Sequence, residues 1–132
     1  MNAFIVEGEN KPGQLARIAQ AIADRGINIS SVSLGTCGDR GTVAIISNDE
    51  AGTRSALSGA GLTFHETEVV PAALTDKPGS LATAAQRLAD AGVNIEAVIP
   101  TGMSGDRVTI AFACDKADAA RNALAEFASA RA

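Results

Sequence analysis

The segment Asn10-Lys11-Pro12-Gly13 returns as Asp76-Lys77-Pro78-Gly79, an offset of 66 residues, and the same offset carries Gly26-Ile27-Asn28-Ile29 onto Gly92-Val93-Asn94-Ile95. Between residues 11 and 32, 13 of 22 positions are identical to those of 77–98. Farther on, Gly38-Asp39-Arg40 meets Gly105-Asp106-Arg107 with the offset grown by one, as a single insertion in a loop produces. The chain is therefore two copies of one unit, residues 1–68 and 69–132, and any fold proposed for one copy must also serve the other.

Each copy passes through the same periodicities. Short apolar runs, Ala3–Val6 and Val69–Leu74, read as strands. After each Lys-Pro-Gly, apolar residues recur at Leu15, Ile18, Ala19 and Ile22, and again at Leu81, Ala84, Ala85 and Leu88, the stripe of an amphipathic helix. Asn10 and Asp76 fit as N-caps with Pro12 and Pro78 in the first turn, and Gly26 and Gly92 stand where a left-handed residue ends a helix. The β-branched segments Ile27–Leu34 and Ile95–Ile99 lead through glycine-rich turns to Thr42–Ser47 and Arg107–Cys114, a hairpin in each copy. A second helix follows: Asp49–Gly59, where Gly52 lowers the propensity, and Lys116–Ala128, with Ala120, Ala123, Leu124 and Phe127 on one side. Leu62–Glu66 adds a fourth strand to copy one.

The expected class is α+β: two tandem ferredoxin-like β-α-β-β-α-β units, each an antiparallel sheet with helices on one face. Copy two shows no strand pattern in its last seven residues, Glu126–Ala132, so its sheet has three strands or borrows a fourth. Between Leu62 and Leu74 the only turn signal is Pro71, so the last strand of copy one should run almost directly into the first of copy two.

A chain of 132 residues that is 46% hydrophobic can bury a core, and 11 Lys+Arg against 15 Asp+Glu, with no run of like charge, disfavour a nucleic-acid partner. No apolar stretch approaches the roughly 20 residues of a membrane helix, and the first residues lack a signal peptide's pattern, so the expectation is a cytoplasmic protein with no membrane partner. Cys37 and Cys114 stand far apart without neighbouring ligand residues and read as free thiols rather than a disulfide or metal site. There is no nucleophile-base arrangement and no phosphate loop, and His65, the sole histidine, lies in an alternating strand, so no catalysis and no cofactor is expected.

A strand ending in (N/D)-K-P-G-x-L-A, then a helix ending in D-x-G-(I/V)-N-I and a second strand, resembles the ACT domain, in both copies. The resemblance implies a regulatory module that binds a free amino acid, in a tandem form without a catalytic partner on the chain. It implies a ligand site at the loop between first strand and first helix, where one unit's loop faces a neighbour's second strand. On this chain the implied residues are Asn10, Lys11, Pro12, Gly13, Gln14 and Leu15 with Asn94 and Ile95, and Asp76, Lys77, Pro78, Gly79, Ser80 and Leu81 with Asn28 and Ile29. Independently, the glycine lets the backbone approach a ligand, and the free N–H groups of a helix start favour a carboxylate. The family's serine-sensing members carry H-E-N-(R/K)-P-G; here the His position is Gly8 or Leu74, and Asp76 replaces the second Asn, an acid suited to a ligand's ammonium group. Each residue also has a plainer role: Asn10 and Asp76 as caps, Asn28 and Asn94 as strand-entry residues, Lys11 and Lys77 as solvated charges. Homodimerisation through an unpaired sheet edge and a metabolic enzyme partner are implied as well. The alternative is a docking subunit whose ligand site is degenerate or empty.

Overall fold

Both halves of the repeat fold in the same order. The computed structural model describes residues 1–128 and divides into two units, one of Asn2–Thr67, the other of Met1 and the residues from Glu68 onward. The first unit holds β1 (Asn2–Glu9), α1 (Gln14–Ala23), β2 (Ile29–Cys37), β3 (Arg40–Ser47), α2 (Glu50–Gly59) and the start of β4 (Thr63–Thr75). The second continues β4 and adds α3 (Ser80–Asp90), β5 (Ile95–Ser104), β6 (Arg107–Cys114), α4 (Ala117–Ala123) and a 3-10 turn, Ala125–Phe127. Strands lie in the order β2-β3-β1 in the first unit and β4-β6-β5 in the second, with the registered pairs antiparallel. The fourth strand of copy one and the first of copy two are one 13-residue strand, β4, in which Pro71 keeps its place opposite Ala111.

The hairpins run farther than the apolar pattern indicates, because only Gly38-Asp39 and Gly105-Asp106 separate the paired strands. Those glycines have φ of 62° and 60°, the positive value that the first position of a type II′ turn demands. The repeated Gly-Asp-Arg is thus the hairpin corner.

Every second residue of the central strands points at the helices. Phe4, Val6, Val43 and Ile45 pack on Ile18 and Ile22 of α1 and Ala56 and Leu57 of α2. In the second unit Val70, Leu74, Ile110 and Phe112 pack on Ala84 and Leu88 of α3 and Ala120 and Leu124 of α4. Each core has one fully buried aromatic, at the same level but on opposite strands: Phe4 faces Ile45 across β1 and β3, and Val70 faces Phe112 across β4 and β6.

The first helices end alike. Ile27 N–H donates to the Ile22 carbonyl and Gly26 N–H to that of Ala23; Val93 and Gly92 repeat this on Leu88 and Ala89. These are Schellman motifs, with φ of 71° at Gly26 and 73° at Gly92, and each packs its trailing Ile or Val on the residue it bonds. The starts differ from expectation. Gly13 and Gly79 are the N-caps of α1 and α3, without a side-chain cap, and Pro12 and Pro78 precede the helices. Asn10 is held elsewhere: its Nδ2 donates to the Gly38 carbonyl at 2.9 Å and its N–H to Asp39, tying the loop to the β2–β3 corner. The Asp76 N–H likewise donates to the Asp106 carbonyl.

Helix α2 begins with a true cap, Asp49, whose carboxylate accepts from Gly52 N–H at 2.9 Å. Thr53 behind it is fully buried, its hydroxyl donating to the Asp49 carbonyl and meeting Ser47 Oγ at 2.7 Å. Arg54 on the same helix grips the Glu66 carboxylate, whose pKa that hydrogen bond holds below its ordinary value. Helix α4 is shorter than expected, and among the described residues no strand follows it; residues 129–132 of the terminal segment lie outside them. Among the described residues no helix is long and apolar enough to cross a membrane.

Cys37 is exposed at the end of β2, while Cys114 is buried in the second core. Burial, helped by Asp115 and Glu96, pushes the Cys114 thiol up to about 11. A thiol reagent at pH 8 should therefore titrate one thiol at once and the second only on unfolding. Two equally fast thiols would contradict the burial of Cys114.

Candidate functional site

The loop after β1 is the wall of a cavity. All six residues from Asn10 to Leu15 line it, and the space, about 460 Å³, lies wholly within the first unit. Its apolar floor is Val6, Ile18, Leu34 and Val43, supplied by β1, α1, β2 and β3, with Gly8, Thr36, Gly41 and Thr42 along the strands. The Gln14 side chain turns back over the sheet: its Nε2 lies 2.9 Å from where a Cβ on Gly8 would stand. Lys11 and Glu9 form an exposed ion pair at 3.5 Å on the rim.

The equivalent loop of the second unit lines a space of about 470 Å³ of different character. Lys77, Pro78, Gly79 and Ser80 belong to it, together with Arg107, Glu126 and Phe127; Asp76 and Leu81 do not. Glu126 is ion-paired with Arg87, and Arg87 also lies over the Phe127 ring at 5.7 Å. Lys77 has no salt bridge among the described residues. A third, smaller space of about 300 Å³ sits by the β2–β3 corner beside Cys37 and Arg40.

The four strand-entry residues, Asn28, Ile29, Asn94 and Ile95, line none of these spaces. Their backbones close a reciprocal pair at the start of the next helix: Asn28 N–H donates to Asn48 Oδ1 at 3.2 Å and Asn48 N–H returns to the Asn28 carbonyl. Asn94 and Asp115 do the same. Both asparagine side chains are exposed and make no hydrogen bond among the described residues. Leu34 is six residues along β2 from Asn28, about 20 Å at ~3.3 Å per residue. A unit's own loop and its own asparagine thus lie at opposite ends of β2.

Sequence reasoning missed the strand half of the cavity: Gly8, Leu34, Thr36 and Gly41. The signal was present in the repeat, where Gly8 and Gly41 stand against Leu74 and Val108.

Residues 3–58, nearly all of the first unit, match the family model of the ACT domain. Over these residues the N-terminal unit resembles an ACT domain. Among solved structures, the chain is similar to the protein BT0572 of Bacteroides thetaiotaomicron, at 24% identity and a TM-score of 0.76, over 95% of this chain and 86% of that one. It is similar to the ligand-free regulatory subunit of aspartate kinase from Thermus thermophilus, at 22% identity and 0.68, over 96% and 91%. It also resembles the aspartokinase alpha and beta subunits, at 22% and 0.64, over 95% and 90%. No curated protein matches the chain. At these identities the likeness is one of fold: two tandem ferredoxin-like units, the fold shared with the regulatory subunit of aspartate kinase.

Proposed function

We propose that the chain is a non-catalytic cytoplasmic sensor that binds a free amino acid at the loops following β1 and β4 and reports it to a metabolic enzyme. What carries the reading is the open cavity walled by all of Asn10–Leu15 within the unit that matches the ACT model. The shared fold with regulatory subunits of aspartate kinase supports an enzyme of amino-acid metabolism as partner. In this reading Asn28 with Ile29, and Asn94 with Ile95, meet the ligand from a unit other than the one that gives the loop, since loop and asparagine of one unit stand too far apart. A homodimer supplies such units. Ligand then stabilises the homodimer that brings those units together, and the shift it causes is limited by its preference for that state.

The test is thermal unfolding followed by circular dichroism, with each common amino acid at about 10 mM. A ligand of Kd near ~100 μM adds roughly 2.7 kcal/mol by linkage, a rise of several degrees. Replacing Asn28 and Asn94 together by Ala should leave the melting temperature of the free protein unchanged and abolish that rise. An undiminished rise in the double variant would remove the asparagines from the site.

A second reading has its own observation. Val32 and Leu34 on β2, and Val98 and Met103 on β5, are exposed at the outer strands of the two units. Apolar side chains on edge strands suit a docking subunit that works through its edges, with the loop cavities empty. A flat amino-acid panel with cooperative unfolding would favour it.

A further inference from the structure

Two glycines, Gly8 and Gly41, face each other in the wall of the first unit's cavity. Gly8 and Gly41 are register partners on the side of the sheet where Val6 and Val43 meet the helices. At the same place in the repeat the partners are Leu74 and Val108, and both side chains join the second core. The same strand pair beside the same helix is thus hollow in one unit and plugged in the other. Neither glycine has a positive φ, so backbone conformation does not require them. A Cβ on Gly8 would meet only the flexible Gln14 side chain, its Nε2 at 2.9 Å, whereas one on Gly41 would meet the Gly35 carbonyl oxygen and Thr36 Cγ2, both at 3.1 Å.

Resting on the amino-acid-sensor reading, we infer that this hollow takes the aliphatic side chain of a free amino acid of the valine, leucine, isoleucine or methionine class, and that the second unit offers no such pocket. The floor of Val6, Ile18, Leu34 and Val43 carries no hydrogen-bonding side chain. A hydroxyl or charge laid against these four side chains gains no hydrogen bond from them, whereas a branched alkyl group gains from burial. At the rim the Glu9–Lys11 pair presents one charge of each sign, matching the zwitterionic end of a free amino acid. The Gln14 carboxamide lies over Gly8 and, as the end of a flexible side chain, serves as the movable cover. The second unit's loop cavity has Lys77, Arg107 and Glu126 in its walls and suits no aliphatic guest.

The experiment compares leucine, isoleucine, valine and methionine with serine, aspartate and lysine, by thermal shift and titration calorimetry on the full chain. The expected result is a response to at least one aliphatic amino acid, at one site per chain, and at least tenfold weaker binding of the polar set. Gly8→Leu, which rebuilds the plug of the second unit, should abolish the response without lowering the melting temperature of the free protein. Leu34→Asn, at a half-exposed position that the core does not need, should weaken it tenfold or more and guards against a folding defect in the first variant. Response to a polar amino acid alone would overturn the aliphatic pocket while leaving the sensor reading intact, and a panel flat throughout would overturn both. Full aliphatic binding retained in both variants would also overturn it.

Discussion

Phe112→Ala is expected to cost about 3–5 kcal/mol, a large share of the roughly 5–15 kcal/mol that holds a domain folded. Phe112 is fully buried in the second core, facing Val70 across β4 and β6 with Leu88 and Leu124 in the same cluster. Loss of the ring removes its burial and leaves a cavity that the paired strands cannot collapse without breaking register. The repeat supplies a control. In the first unit the equivalent pair is Phe4 and Ile45, with the aromatic on the other strand. Val70→Phe together with Phe112→Ile copies that arrangement at nearly constant volume, and should recover most of the loss, since volume-conserving exchanges usually cost less than ~1.5 kcal/mol. Urea unfolding monitored by circular dichroism reads both. A double variant no more stable than Phe112→Ala would mean that the two cores are not interchangeable at this level.

That exchange of aromatics marks the limit of what was legible. The repeat and the order of elements could be read directly, because apolar periodicity changes from strand to helix to strand twice in the same sequence. The apolar run of β1, Ala3–Val6, is buried at every position, which is why it appears as a run rather than an alternation. The Schellman glycines were legible for a backbone reason that no neighbour can alter. The N-caps were not. Asn10 and Asp76 have the right side chains at a plausible spacing, but the Pro-Gly that follows carries the chain one turn farther, and Asn10 spends its amide on a carbonyl 28 residues away. A long-range hydrogen bond has no local signature. The loop half of the candidate site was readable from Lys-Pro-Gly, while its strand half depends on a cross-strand pair, Gly8 with Gly41, that only the register brings together.

Gly52→Ala provides the second test, and its expected sign is opposite to the one that helix propensity dictates. In an isolated helix the exchange gains ~1 kcal/mol. In α2 it should lose about 1–3 kcal/mol. A Cβ at this position would stand 2.5 Å from Asp49 Oδ2 and 2.7 Å from Ile27 Cδ1. Neither atom can yield without consequence. The Asp49 carboxylate caps α2 by accepting the Gly52 N–H, an interaction worth ~1 kcal/mol, and Ile27 is the buried residue that closes the Schellman motif of α1. Moving either adds strain of the kind that overpacked cores show, ~1–3 kcal/mol. The mechanism can be separated from a general defect by the Asp49→Ala background, where the cap is already gone. There Gly52→Ala should cost measurably less than in the parent, and the non-additivity measures the cap's share. A stabilising Gly52→Ala would return this glycine to the role its propensity suggests, a weak point in the helix. A loss of the expected size identifies it as the position where α2 closes against its own cap and the end of α1.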